Sequence, residues 1–256
     1  MKRKVMIIGM GAGNPDFITI QAIKAMNRID VFFIPDKGIE KADLSGVRRL
    51  IIDRYGGDRP FRIVEYEVPA RRRESDDYEG AVSEWHAEIS ETFGRLILEE
   101  LGEADVGAFL VWGDPTLYDS TLRILEHLRA KGGLELDYDV IPGISSAQAL
   151  AAQHRVAINA IGRAVLITNG RELAKGFPDN VDSVMVLLNA DKALRIADGE
   201  LEAYWGAYVG MPEEILVSGK LKDIVDEIER IRSAARSEHG WIMDCVLLKK
   251  PHGDAD

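Results

Sequence analysis

Val5-Met-Ile-Ile-Gly-Met-Gly-Ala-Gly-Asn-Pro-Asp-Phe-Ile-Thr19 is the stretch that fixes the fold class. Four apolar residues running into glycine describe a strand buried on both faces, which has no polar side to alternate with and ends here in a tight loop. Thr19 is placed to cap a helix. Ile20, Ile23, Ala25, Met26 and Ile29 then follow near the helical period, and Asp30 leads into a second apolar run, Val31–Ile34. Strand, helix and strand in close succession make a βαβ unit, so the two strands run parallel in one sheet.

The glycines invite comparison with a dinucleotide cradle, in which G-x-G-x-x-G opens directly into a helix. Here Gly9, Gly11 and Gly13 alternate, and Asn14-Pro15-Asp16 intervenes before the helix. A nicotinamide-dependent oxidoreductase is therefore only the alternative reading.

Outward from this unit the alternation continues. Helices are predicted around Val47–Tyr55, Tyr78–Leu101 and Ser120–Lys131, with strands around Arg62–Val68, Val106–Trp112 and Leu136–Ile141. One parallel, helix-covered sheet accounts for this half. After Pro142-Gly143 the texture changes. Helices are expected at Ile144–Gln153, Asp191–Ala197 and Leu221–Ala235, among strands at Ala164–Thr168, Ser183–Leu188, Ala203–Val209, Glu214–Lys220 and Trp241–Lys249. Strands so closely spaced imply antiparallel pairing. The expectation is two α/β domains, residues 1–142 with a mostly parallel sheet and 143–256 with a mixed one.

Composition narrows the function. The 256 residues carry a formal charge of −11, so a general basic face for nucleic acid is absent, since phosphate backbones repel an acidic surface. Cys245 is the single cysteine, which leaves no cysteine pair for a disulfide, and the five histidines are scattered without an HExxH pattern, so no metal site is expected. The apolar run after Met1-Lys-Arg-Lys4 breaks at Gly9, too soon for a signal sequence. No stretch approaches the roughly 20 apolar residues of a membrane helix. A cytoplasmic protein with a small-molecule substrate is the expectation, without nucleic acid or membrane partners.

Two further turns repeat the first. Trp112-Gly-Asp-Pro-Thr-Leu-Tyr118 follows an apolar strand, where ligands of open α/β sheets bind, and Asp114 can accept from a ribose or an ammonium. Asp-Pro-Thr could equally make the turn and cap the next helix. Ile141-Pro-Gly-Ile-Ser-Ser146 places two hydroxyls at a helix start, again a ligand site or a plain cap. Three such turns after parallel strands open on one sheet edge and could line one cleft.

In this order and spacing the three motifs resemble the tetrapyrrole methylase family, over most of the chain. Thr168-Asn-Gly-Arg171, Leu188-Asn-Ala190 and Gly210-Met-Pro-Glu-Glu214 before Val217-Ser-Gly-Lys220 are compatible. The resemblance implies two α/β domains with S-adenosylmethionine in the cleft between them, the tetrapyrrole in a trough on the first, and a homodimer. It implies cofactor contacts at Trp112, Gly113, Asp114, Leu117, Ser145, Ser146, Asn189 and Gly219, and substrate contact at Gly11. Ala12 stands where the family commonly has proline, and the methionine usual near Asn189 is absent. Gly-Ala-Gly-Asn-Pro-Asp-Phe-Ile-Thr-Ile-Gln-Ala22, Asp30-Val-Phe-Phe-Ile-Pro-Asp-Lys-Gly38 and Trp112 are similar to the subgroup that removes the acetyl group of precorrin-5 and methylates its ring carbon 1. Another precorrin methylase of the same fold is the nearest alternative, ahead of relatives acting on RNA or a protein side chain and of a binding module without catalysis.

Methyl transfer from a sulfonium needs alignment and no covalent nucleophile. Deacetylation adds a water and a base to take its proton, and Asp16 and Tyr118 are the candidates beside the glycine turns. His86, next to Trp85 on the long helix, reads as a face residue. The macrocycle's carboxylates need local cations, and Arg71-Arg72-Arg73 is a candidate clamp, although charge runs are commonly just solvated.

Overall fold

In a computed structural model of the protein, residues 2–36, 42–69 and 78–251 are described. They divide into two compact units, split between Ile144 and Ser145. The candidate clamp Arg71–Arg73 lies outside the described residues.

In the first unit β1 (Lys2–Gly9), β2 (Val31–Asp36), β3 (Arg62–Glu67), β4 (Val106–Val111) and β5 (Glu135–Ile141) form a five-stranded sheet in the order β3-β2-β4-β1-β5, parallel throughout. Successive side chains go to opposite faces. Met6, Ile8, Phe32, Ile34, Ala108 and Leu110 face α1 (Ile20–Met26) and α2 (Ala42–Tyr55). Val5, Ile7, Phe33, Phe109 and Val111 face α3 (Tyr78–Glu100) and α4 (Thr121–Lys131). Both faces are covered, which is why these strands read as unbroken apolar runs. The Thr19 hydroxyl caps α1, accepting from the Ala22 amide at 3.0 Å.

In the second unit the order is β6-β7-β10-β8-β9, from Val165–Thr168, Ser183–Val186, Glu202–Ala207, Ile215–Lys220 and Asp244–Lys249 as β6 to β10 in chain order. Three of its pairings are antiparallel, as the close spacing implies, but β6 and β7 run parallel. The crossover between them includes a four-residue helix, α6 (Gly170–Leu173), too short to leave a period in the sequence. α5 (Ser146–His154), α7 (Asp191–Leu194) and α8 (Leu221–His239) complete the unit. Arg232 of α8, 11% exposed, pairs with Asp244, 7% exposed, whose Oδ2 also accepts from the Trp205 indole at 2.9 Å. Burial pushes the Cys245 thiol up to about 12, so it acts as a core hydrophobe. Among the described residues no helix is long and apolar enough to cross a membrane.

Candidate active site

Three turns meet at the carboxyl edge of the first sheet. Gly9 is level with Val111 and Ile8 with Ile141, so the chain leaves β1, β4 and β5 at one height. The Gly113 amide donates to the Gly11 carbonyl at 2.8 Å, and the Gly11 amide to the Gly113 carbonyl at 3.4 Å. A Cβ on Gly143 would stand 2.1 Å from the Gly113 carbonyl oxygen, and one on Gly9 2.6 Å from the Gly143 nitrogen. Gly9 and Gly143 are therefore glycines because three backbones touch. Gly11 and Gly113 are glycines for a second reason, their φ of 84° and 61°.

Asp114 ties the second turn to the third. One oxygen accepts from the Gly143 amide at 2.9 Å, and the other from the Thr116 amide at 2.8 Å and the Thr116 hydroxyl. Burial works to raise its pKa, but the Thr116 hydroxyl and the two amides outweigh it and hold the carboxyl below its ordinary value. Both readings of this residue thus have a basis, because an ionised carboxylate has about four acceptor positions and these bonds use three.

The indole nitrogen of Trp112 is buried with no partner among the described residues, an unused donor beside this platform. The platform fits a ligand such as S-adenosylmethionine: glycine backbone bare of side chains, a carboxylate with capacity left, and an unpaired N–H. Leu117 lies in the turn closed by its amide on the Asp114 carbonyl at 3.2 Å. Tyr118 is 47% exposed with φ of 54°, a left-handed conformation that costs a bulky residue energy. Asp16 is exposed on a single 3-10 turn, Pro15–Phe17, paired with Arg54 at 2.9 Å and accepting from the Tyr55 hydroxyl at 3.4 Å.

Between the carboxyl ends of β2 and β4 lies a second feature, which the sequence did not reveal. Their pairing stops at Phe33 and Phe109; Pro35, two residues on, has no N–H for a ladder. α2, the helix that follows β2, packs on one face of the sheet and α4, which follows β4, on the other, the arrangement that opens a crevice in α/β sheets. A partly open cavity of about 120 Å³ occupies it. Its polar lining includes Arg48, Tyr66, Asp119 and Ser120. Arg48 is 4% exposed; its Nε donates to the Leu110 carbonyl at 3.1 Å, and the guanidinium lies over the Trp112 ring, 5.9 Å from the centroid. Burial lowers its pKa against the opposing pull of Tyr66 and Asp119. Burial also holds the Tyr66 hydroxyl protonated well above its usual range, Arg48 acting against this and Asp119 with it. His86, read as a face residue of the long helix, is half-buried with Nε2 3.1 Å from the Ser120 hydroxyl oxygen.

In the second unit Ser145 is a helix cap: its amide and hydroxyl donate to the Gln148 side-chain oxygen at 2.8 and 2.7 Å. The Ser146 carbonyl accepts from Cys245 at the start of β10. Asn189 is exposed beyond the end of β7 with φ of 55°, which asparagine tolerates, and its carbonyl oxygen would be 1.7 Å from a Cβ on Gly170. Gly219 is elsewhere. It pairs with Ala203, that with Leu248, and that with Val184, so it stands level with the start of β7 on the far edge strand. Asn189 is five residues further along, about 16 Å, and three strands across, about 14 Å. The sheet brings Ser146 and Asn189 to one edge and leaves Gly219 at the other.

Residues 4–225 match the model of the tetrapyrrole (corrin/porphyrin) methylases. A precorrin-6A synthase (deacetylating) from Sinorhizobium sp is 50% identical over 249 residues, 97% of this chain and 95% of that protein. A solved structure of a cobalamin-synthesis-related protein from Corynebacterium diphtheriae superposes with a TM-score of 0.80 at 35% identity, covering 98% of this chain and 99% of that one. Uroporphyrin-III C-methyltransferase from Thermus thermophilus, solved with S-adenosylhomocysteine, shares the fold at a TM-score of 0.55 and 16% identity, with coverage of 96% and 92%. With these likenesses spanning both units, the chain belongs to the tetrapyrrole (corrin/porphyrin) methylase family and is a methyltransferase.

Proposed function

We propose that the protein is a precorrin-6A synthase of the deacetylating type, an enzyme of cobalamin biosynthesis that removes the acetyl group of precorrin-5 and methylates ring carbon 1. The observation that carries this reading is the 50% identity over 97% of the chain to a relative of that name. S-adenosylmethionine, when bound, supplies an electrophilic methyl carbon. Trp112, Gly113, Asp114 and Leu117 are the residues of the platform that would hold it. Their part is to fix position: alignment alone can contribute up to roughly 7–11 kcal/mol in favourable models. Asp114, kept ionised by its amide and hydroxyl donors, offers its remaining acceptor capacity to a donor of the ligand. Arg71, Arg72 and Arg73 are the candidates for the substrate's carboxylates, through bidentate pairing. A cytoplasmic location and a homodimer belong to this reading on the family resemblance.

The test is incubation with S-adenosylmethionine and precorrin-5, with acetate release and methyl transfer followed together. Both are expected. Methyl transfer to another precorrin without acetate release would replace this reading by that of a different precorrin C-methyltransferase.

A further inference from the structure

Deacetylation needs what the glycine platform lacks: a place for an acetyl group, a group to take a proton from water, and donors for the oxygen that gathers negative charge. The cavity between β2 and β4 has that set. Resting on the deacetylating reading above, we infer that this cavity seats the acetyl group of the substrate, with Asp119 as general base and the Tyr66 hydroxyl as donor to the carbonyl oxygen.

The lining divides as such a group requires. Phe33, Phe93 and Phe109 form a stacked floor, with centroids 4.9 and 4.2 Å apart, that suits a methyl group. At about 120 Å³ the space takes an acetyl group with a water beside it. Asp119 gives one oxygen to the Thr121 amide at 2.7 Å, which fixes the carboxylate at the start of α4, and its other oxygen has no partner among the described residues. Tyr66, held protonated by burial, is a donor throughout.

The step balances without an oxidant or reductant. The water oxygen bonds to the acetyl carbonyl carbon and one water proton passes to Asp119. The bond from that carbon to ring carbon 1 then breaks, acetic acid departs with the second water proton, and the electron pair stays on ring carbon 1, where methylation consumes it. Asp16 and Tyr118, the two candidate bases of the sequence, do not line the cavity, and Asp16 is exposed and paired with Arg54.

Asp119→Asn in the full chain keeps an oxygen for the Thr121 amide and removes the base; acetate release from precorrin-5 should fall about 100-fold or more. S-adenosylmethionine affinity, measured by calorimetry, should stay within about twofold, which confirms folding. Hydroxylamine, a nucleophile that needs no base, should restore deacetylation of this variant and yield acetohydroxamate, a rescue that a purely structural role would not permit. Tyr66→Phe, losing only a hydroxyl, should slow acetate release about 100-fold. Acetate release at the unmodified protein's rate in both variants overturns the assignment while the function stands. No acetate release by the unmodified protein overturns the deacetylating reading itself, and this inference with it.

Discussion

At the carboxyl edge of the first sheet, three strands end side by side, and Gly9 and Gly143 each bring bare backbone against a neighbouring turn. In the second sheet only β6 and β7 run parallel, and a single glycine, Gly170, lies under the carbonyl of Asn189. The chemistry that binds each unit differs to match. In the first, backbone bonds between turns and one half-buried carboxylate, Asp114, join the edge; in the second, the buried pair Arg232–Asp244 joins α8 to the sheet. A parallel sheet delivers all its carboxyl-end turns to one edge, so it can build a continuous backbone platform there. A mixed sheet scatters its turns over two edges, and its interior relies on side chains.

The largest expected effect lies in the second unit. Arg232→Met removes the partner of an Asp244 that is only 7% exposed, leaving a charge whose remaining donor is the Trp205 indole. A loss of about 3–5 kcal/mol in urea unfolding is expected. If the loss is below about 1 kcal/mol, solvent reaches Asp244 and the pair does not hold α8 to the sheet. Gly143→Ala is next: its Cβ meets backbone at 2.1 and 2.8 Å, which no rotamer relieves. It should cost about 3 kcal/mol and abolish S-adenosylmethionine binding. Gly170→Ala, with a contact at 1.7 Å, tests whether the clash alone accounts for both: it should destabilise similarly but leave more of the cofactor affinity.

Asp114→Ala tests the carboxylate that joins two turns of the first edge. The Gly143 and Thr116 amides lose their acceptor, at a cost of about 1–3 kcal/mol, and cofactor affinity weakens if the carboxylate lines the site. The pH dependence has a definite sign. The folded carboxyl is held below its unfolded pKa, so its contribution is complete above that ordinary value, near 4, and is lost as pH falls through the lower folded value. Stability curves of the variant and the unmodified protein should therefore converge under acid and differ fully at neutral pH.

Much of this was legible because it is local. The Thr19 cap, the apolar strands and the glycine turns each follow from a few adjacent residues, and their order alone implied a parallel sheet. The contact of Gly9 with Gly143 needs the register of two strands 134 positions apart in the chain, which no local pattern carries. Arg48 was hidden for a related reason. A cation on a polar-looking helix reads as solvated, and it becomes buried only because β2 and β4 part company beyond Phe33 and Phe109. His86 met the same fate through Ser120, 34 residues away. Asn189 and Gly219 show the converse, since the family resemblance groups them while the strand order separates them.

Asp16 marks the small end of the scale. Its side chain is 65% exposed and that of its partner Arg54 is 52% exposed, so water screens the pair and two side chains lose freedom to form it. Asp16→Ala should cost no more than about 0.5 kcal/mol, and the cost should shrink further in 1 M salt, where the Debye length is about 3 Å. Urea titrations at low and high salt check both. The 3-10 turn that carries Asp16 also holds Phe17, whose Cβ and carbonyl would meet a Cβ on Gly11 at 2.9 and 3.2 Å, so the turn touches the platform through packing as well as charge. A salt-independent loss above about 1.5 kcal/mol, beyond the range of exposed ion pairs, would show that the Asp16 pair braces that contact, and that the edge depends on a side-chain ion pair as well as on backbone against backbone.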